Sequence, residues 1–361
     1  MSARYGNTVY DIGIIGAGPA GATLARLLAS RYRVLLLDSG RQKCCGGILN
    51  RAAQTALAQF DLALPKHVFA DPQPSVVTIM DWDNHLVRRY ARQYVNINRT
   101  AFDHWLLSLV PQTVDVRSKA IYLKSETNAT GLTLHFKENE ESKTAQVRWL
   151  VGADGAFSTV RREFFPKVST PNRYIAVQHW FEQDTVSIDS NLGIDVWNDY
   201  IGIFDSAQTD FYMWTIPKNG QLILGGAFPL GANVSEAIKI VGEKMESFGL
   251  RFGSPFKRDA GQIFRPLHQS SLCFGDARTI LIGEASGLIS PSSAEGISGA
   301  LISAFYLAEA FQKSSFVSAL YRRLLRHRLW KHWLNGYRIP LMFNPRLRKY
   351  VMLSRLTALH R

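Results

Sequence analysis

Apolar positions set the frame of this chain. Residues 9–15 form an apolar run that stops at a glycine, and residues 33–37 form a second. Between them, Ala22, Ala25, Leu27, Leu28 and Ala29 recur at helical spacing and predict a helix over 19–30. Strand, glycine turn, helix and strand make a βαβ unit, hence a parallel sheet. Helices are also predicted over 50–60 and 100–110; Thr100 caps the second, with Asp103 three residues on, and Pro111 closes it. The runs 114–117, 121–125, 132–136 and 145–151 are β-like. So are 174–182 and 211–228, which are rich in aromatic and β-branched residues. Helical periodicity returns over 234–248 and 294–311. No internal repeat or low-complexity linker appears. The expected fold class is α/β: a Rossmann-like domain built from discontinuous pieces, an inserted β-rich substrate domain and a helical C-terminus. The expected boundaries are 1–75, 99–170 and 265–315 for the first, 76–98 and 171–264 for the second, and 316–361 for a basic helical segment.

Composition changes this picture in three ways. At 361 residues the chain exceeds the usual size of one core, which supports two domains. No apolar stretch reaches the roughly 18 residues of a membrane span, and no secretory leader pattern opens the chain. Cys44, Cys45 and Cys273 offer neither a good disulfide pair nor metal-ligand spacing, so a reducing cytoplasm and no metal are expected. The net charge is +13, yet residues 1–309 are nearly neutral. The final fifty-two residues hold twelve Lys or Arg and no Asp or Glu. Such a tail suits an anionic surface.

The glycine turn reads Gly16-Ala17-Gly18-Pro19-Ala20-Gly21. Gly16 permits the tight turn, Gly18 lets a pyrophosphate approach the backbone, and Gly21 lets helix and strand pack closely. The pyrophosphate would meet the amides and positive dipole end of the helix. Asp38, ending the next strand, would accept hydrogen bonds from the adenosine ribose. This context predicts an adenine-dinucleotide site without separating FAD from NAD.

Further segments resemble the aromatic hydroxylase-like flavoproteins. The run Val151-Gly152-Ala153-Asp154-Gly155 is similar to their "DG" segment, and Ile282-Gly283-Glu284-Ala285 to their "GD" segment, with Glu284 in place of Asp. Asn98-Arg99-Thr100-Ala101-Phe102-Asp103 resembles the element in which an Arg starts a helix beside the cofactor. A finer resemblance, over about residues 8–310, is to the geranylgeranyl reductase family and, within it, the CbrA (colicin M resistance) group. Lys43-Cys44-Cys45-Gly46-Gly47 looks like its P-C-G-G run, with Cys44 where proline is usual. Tyr212-Met213-Trp214-Thr215-Ile216-Pro217 is similar to its Y-x-W-x-F-P run, and Gly283 through Glu295-Gly296 to its G-D-A-A-G…G-E-G run.

The resemblance implies an FAD-dependent oxidoreductase that reduces carbon–carbon double bonds of a prenyl or polyprenyl lipid by hydride transfer from flavin N5. It assigns Cys45, Gly46, Gly47, Arg99, Asp154, Gly155, Gly283, Glu284 and Gly296 to the cofactor, and places Cys45 by the reactive flavin edge. Cys45 is then the catalytic candidate, for positioning or proton delivery. Tyr212 and Trp214 alternate on one strand face and are expected to line a chain-shaped pocket, or else to pack in the core. The helix after Gly296 would turn its amino end toward charge on the reduced flavin. No second G-x-G-x-x-G follows a strand, so the electron donor stands open between NAD(P)H and a reduced carrier.

Two other readings remain: a flavin monooxygenase or halogenase, since 212–217 also resembles the halogenase W-x-W-x-I-P run, and a non-enzymatic FAD-containing protein that binds a prenyl lipid. In the tail, Leu325, Leu329, Trp333 and Tyr337 recur every fourth residue among Arg326, Arg328, Lys331 and Arg338. They suggest either a peripheral helix at the inner face of the cytoplasmic membrane or a helix packed on the cofactor domain. Nucleic acid is not expected, since no recognised motif accompanies the charge.

Overall fold

The computed structural model describes residues 9–189, 193–334 and 338–354, and side chains outside 327–338. The chain divides into two compact units: Met1–Gln42, Phe102–Pro171 and Phe264–Trp333 form one, and Lys43–Ala101, Asn172–Ile263 and Leu334–Arg361 the other.

The first unit holds the βαβ start. Strands Val9–Ile15 and Val34–Asp38 pair in parallel, flanked by Glu141–Gly152 and Asp115–Ser118, with Thr279–Leu281 beyond Glu141–Gly152. An antiparallel hairpin, Ala120–Thr127 and Leu132–Glu138, joins the same sheet through Glu141–Gly152. Central parallel strands are covered on both faces, which explains their uninterrupted apolar runs. Helix Pro19–Leu28 starts with proline in its first turn, where the missing N–H is harmless. Its Leu24 and Leu28 are fully buried, each contributing about 2 kcal/mol. Helix Ile297–Lys313 lies against it, with Ala300, Ala304 and Leu307 in the same core. That helix starts three residues later than its periodicity predicts, because Ala294 takes a left-handed turn (φ 52°).

The second unit is built on a seven-stranded sheet. Its order is Lys257–Arg265, Asn172–Glu182, Gln221–Pro229, Met213–Lys218, Tyr200–Phe204, Val76–Asp81, Leu86–Ala91. The predicted β region 211–228 is a hairpin. Asn219 and Gly220 both take positive φ (53° and 77°), the pattern of a tight two-residue turn. Helix Val234–Ser247 covers one sheet face with Ala237, Ile238, Val241 and Met245.

The division differs from the sequence expectation at several boundaries. Residues 43–75 and 99–101 belong with the second unit, where Ile48–Leu49 pairs with Val95–Asn96 and Ala70 N–H donates to Asn96 O. The basic segment 316–361 is shared: helix Val317–Leu334 lies almost wholly in the first unit, and helices Arg338–Phe343 and Pro345–Leu353 in the second. The helical stripe also has an owner at its start. Val317, Tyr321 and Leu325 are buried in the first core, and Tyr321 O–H donates to Leu281 O. Leu325 is thus a core residue, 1% exposed. Tyr337 and the side chains of Leu329, Trp333, Arg328, Lys331 and Arg338 lie outside the described set. Among the described residues, no helix is long and apolar enough to cross a membrane.

Candidate cofactor and substrate sites

In the first unit the glycine motif closes strand onto helix. Gly16 has φ 99°, and a methyl group there would sit 2.6 Å from Ala153 O. A methyl group on Gly21 would lie 1.8 Å from Gly16 O, so no larger residue fits. Gly18 is different: a methyl group would meet nothing within 4 Å. The glycine therefore leaves open space beside the first turn of helix Pro19–Leu28, where backbone amides lack helical partners. Ala17 N–H reaches toward Asp38 Oδ1 at 3.4 Å, so the ribose-binding candidate also steadies the turn.

The other two segments converge on this turn. A methyl group on Gly21 would be 3.3 Å from Ala153 Cβ, and one on Gly283 would be 3.0 Å from Ala20 Cβ. Asp154 follows Ala153. Its Oδ2 accepts from the Thr159 and Val160 amides at 2.7 and 3.3 Å, while its buried Oδ1 has no partner. Burial pushes its carboxyl above the ordinary range. Gly155 has φ 71° and open space around it. An open cradle at Gly18 and Gly155 beside an orphaned carboxylate oxygen fits a diphosphate-linked, hydroxyl-bearing cofactor.

Asp154→Leu is expected to lose about 1 kcal/mol of stability with the cap and to bind FAD about 10- to 100-fold more weakly. Asp154→Asn should keep most of the stability. Thermal melts and flavin fluorescence titration check both.

Glu284 is 8% exposed, and its Oε1 accepts from the Phe264 amide at 3.0 Å. The longer side chain thus braces the strand ending at Arg265 against the turn Gly283–Ser286. Gly296 is the N-cap of helix Ile297–Lys313. Glu295 already caps this helix, taking the Ser298 N–H at 2.7 Å. One amide of this helix end is therefore already taken by a carboxylate.

Cys45, Gly46, Gly47 and Arg99 fall in the second unit, Arg99 as the first residue of helix Arg99–Ser108. The Cys45 loop is tightly held. Gly47 N–H donates to Cys45 Sγ at 3.4 Å, and Ile97 N–H to Gly47 O at 2.8 Å. A methyl group on Gly46 would sit 2.4 Å from Ile216 Cδ1. One on Gly47 would sit 2.2 Å from Ile97 O and 2.8 Å from Lys218 Nζ. Burial pushes the neighbouring Cys44 thiol up to about 12, so it stays protonated.

Lys218 was not legible as a site residue. It is 5% exposed, and its ammonium donates to Asn96 Oδ1 at 2.8 Å and Ile97 O at 2.6 Å. Burial lowers its pKa from 10.5 to about 7, with the nearby Cys45 acting weakly in the other direction. The one available signal was its place directly after the 212–217 run.

Tyr212 precedes strand Met213–Lys218, and its ring lies 5.5 Å from that of Trp214. Trp214 pairs with Gly202 and Gly225 on the flanking strands, and Gly225 makes room for the indole, since a methyl group there would sit 2.6 Å from Trp214 Nε1. The row of rings continues. Tyr212 is 6.0 Å from Phe204 and 4.8 Å from Phe211, while Tyr200 is 5.8 Å from Tyr94. The Tyr200 and Tyr212 hydroxyls are hydrogen-bonded. Gln178 Oε1 and Trp214 Nε1 are buried without partners.

Comparison with known proteins agrees with this geometry. The FAD binding domain family matches residues 9–187. Protein CbrA of Escherichia coli O6:H1 is 37% identical over 354 residues, covering 96% of this chain and 93% of that one. A geranylgeranyl bacteriochlorophyll reductase-like protein from Thermoplasma acidophilum has the same fold, with a TM-score of 0.77 and 18% identity over 92% of this chain and 88% of that one. PqsL of Pseudomonas aeruginosa, a probable FAD-dependent monooxygenase, superposes with a TM-score of 0.71 and 14% identity over 96% and 99%. With a glycine cradle for FAD and near full-length identity of this order, the chain belongs to the CbrA family of FAD-dependent oxidoreductases.

Proposed function

We propose that the protein reduces carbon–carbon double bonds of a prenyl or polyprenyl lipid. The observation that supports this most is the aromatic row beside the Cys45 loop. Tyr212, Trp214, Tyr200 and Tyr94 form an aromatic row suited to a linear chain of methyl-branched isoprene units. Bound FAD, once reduced, supplies hydride. An isolated alkene develops no oxyanion, so the protein's task is to orient the chain, exclude water and hold a proton. The rings do the first two. Lys218 Nζ holds the proton: with a pKa of about 7 it is partly protonated near neutrality and returns a proton readily. Cys45, fixed by the Gly47 amide, is the second candidate for positioning or proton delivery. NAD(P)H or a reduced carrier is the electron source in this reading.

The test is anaerobic incubation of the reduced holoprotein with polyprenols and polyprenyl phosphates, read by mass spectrometry. Each reduced bond adds two hydrogens. Cys45→Ala and Lys218→Met are each expected to slow product formation about 100-fold or more, the usual scale of a lost proton-transfer group. Unchanged chain binding with no turnover in the parent protein would instead indicate a lipid-binding role.

The likeness to PqsL supports a second reading, monooxygenation. It requires product to appear only when oxygen is admitted and to carry an added oxygen atom. A halogenase would additionally require halide.

A further inference from the structure

We infer that helices Arg338–Phe343 and Pro345–Leu353 form a docking surface for an anionic phospholipid bilayer. The second helix has two unlike sides. One side is anchored to the seven-stranded sheet: Arg348 pairs with Asp81 at 2.9 Å and with Asp83, Met352 is 2% exposed, and Asn84 Nδ2 donates to Pro345 O. Phe343, closing the first helix, stacks on Phe211 and touches Phe204. These contacts fix the pair, so its outer side is held rigidly outward.

That outer side is apolar. Leu347, Tyr350 and Val351 recur at i, i+3 and i+4 and are exposed, Tyr350 by 73%. Leu341, Met342 and Leu353 extend the patch. Arg346 and Lys349 are exposed on its flank. A patch of this kind, with a tyrosine at its centre and cations at its edge, matches the boundary between headgroups and acyl chains. The charge balance selects the occupant. Residues 338–354 carry no Asp or Glu, and the exposed Arg346 and Lys349 leave this surface cationic, which disfavours a second copy of itself and attracts an anionic bilayer. The rings of Phe204 and Phe211, under Phe343, run on to Tyr212. This inference therefore deepens the prenyl-lipid reading: the same helices that meet the bilayer abut the aromatic row.

The experiment is co-sedimentation of the full-length holoprotein with vesicles of pure phosphatidylglycerol or pure phosphatidylcholine, without turnover. Binding to phosphatidylglycerol and much weaker binding to phosphatidylcholine is expected. Leu347→Asp combined with Tyr350→Asp should abolish it. Arg346→Ala with Lys349→Ala should weaken it about 30-fold, the factor for two surface cations. All four positions are exposed, so melting curves should be unchanged. Equal binding to both lipids, or binding that survives the Asp substitutions, overturns the inference. So does a dimer that those substitutions dissociate. Vesicle binding with no prenyl reduction in detergent sinks the catalytic reading alone. Reduction in detergent with no vesicle binding sinks this one alone.

Discussion

Gly18→Val is expected to give a folded, colourless protein, whereas Gly21→Ala gives one that barely folds. Both residues belong to the same turn, yet their surroundings are opposite. A Cβ added at Gly18 meets no protein atom within 4 Å, and the residue's φ of −65° is ordinary. The apoprotein should therefore melt within about 1 kcal/mol of the parent, the scale of an N-cap change. The new side chain would fill the space beside the helix amides. FAD affinity should fall at least about 1,000-fold, equivalent to about 4 kcal/mol. At Gly21 the added carbon would overlap Gly16 O at 1.8 Å, forcing helix from strand. That should cost about 3 kcal/mol or more. Absorbance of the purified variants and melting of FAD-free protein separate the two outcomes. A yellow Gly18→Val protein would refute the cradle.

Lys218→Met is expected to change how stability depends on pH, and to do so in one direction. The folded value of about 7 lies below the unfolded 10.5. Between those limits the unfolded chain holds a proton that the folded chain has released, so stability rises with pH. Below pH 7 both states are protonated and the whole burial penalty is present. The parent should therefore gain on the variant by on the order of 4 kcal/mol between pH 7 and pH 10.5. The variant also leaves Asn96 Oδ1 and Ile97 O without their donor, a loss of about 1–3 kcal/mol that is nearly independent of pH. Urea melts across this range isolate the pH-dependent part. A flat difference would mean that Lys218 titrates as an exposed lysine does, and the proton-holding role would go with it.

The glycine turn was readable from sequence because its requirements are local. Gly16, Gly18 and Gly21 are dictated by one turn, and Asp38 by the end of the next strand, all within a single βαβ unit. Asp154 and Gly283 were visible through resemblance, and the structure brings their segments to the same turn. What was hidden depends on partners distant in the chain. Lys218 ends a strand beside an exposed turn, where a lysine ordinarily extends into water. It is buried because Asn96 and Ile97, more than a hundred residues earlier, supply acceptors. Glu284 looked like a lengthened cofactor ligand, yet the Phe264 amide takes one of its oxygens. Leu325 had the spacing of an interfacial stripe. Spacing alone does not say which surface a stripe meets, and here its first turns meet the protein's own core.

The Arg348 clamp decides where this chain can be shortened. Asp81 is fully buried and Asp83 partly so; both face the guanidinium of one residue near the far end of the sequence. Removing the tail ahead of Arg348 would leave the buried Asp81 carboxylate without its cation, a loss of about 3–5 kcal/mol. Truncation would thus wreck the scaffold along with the surface it carries, while an added tag following Ser354 would leave the clamp closed.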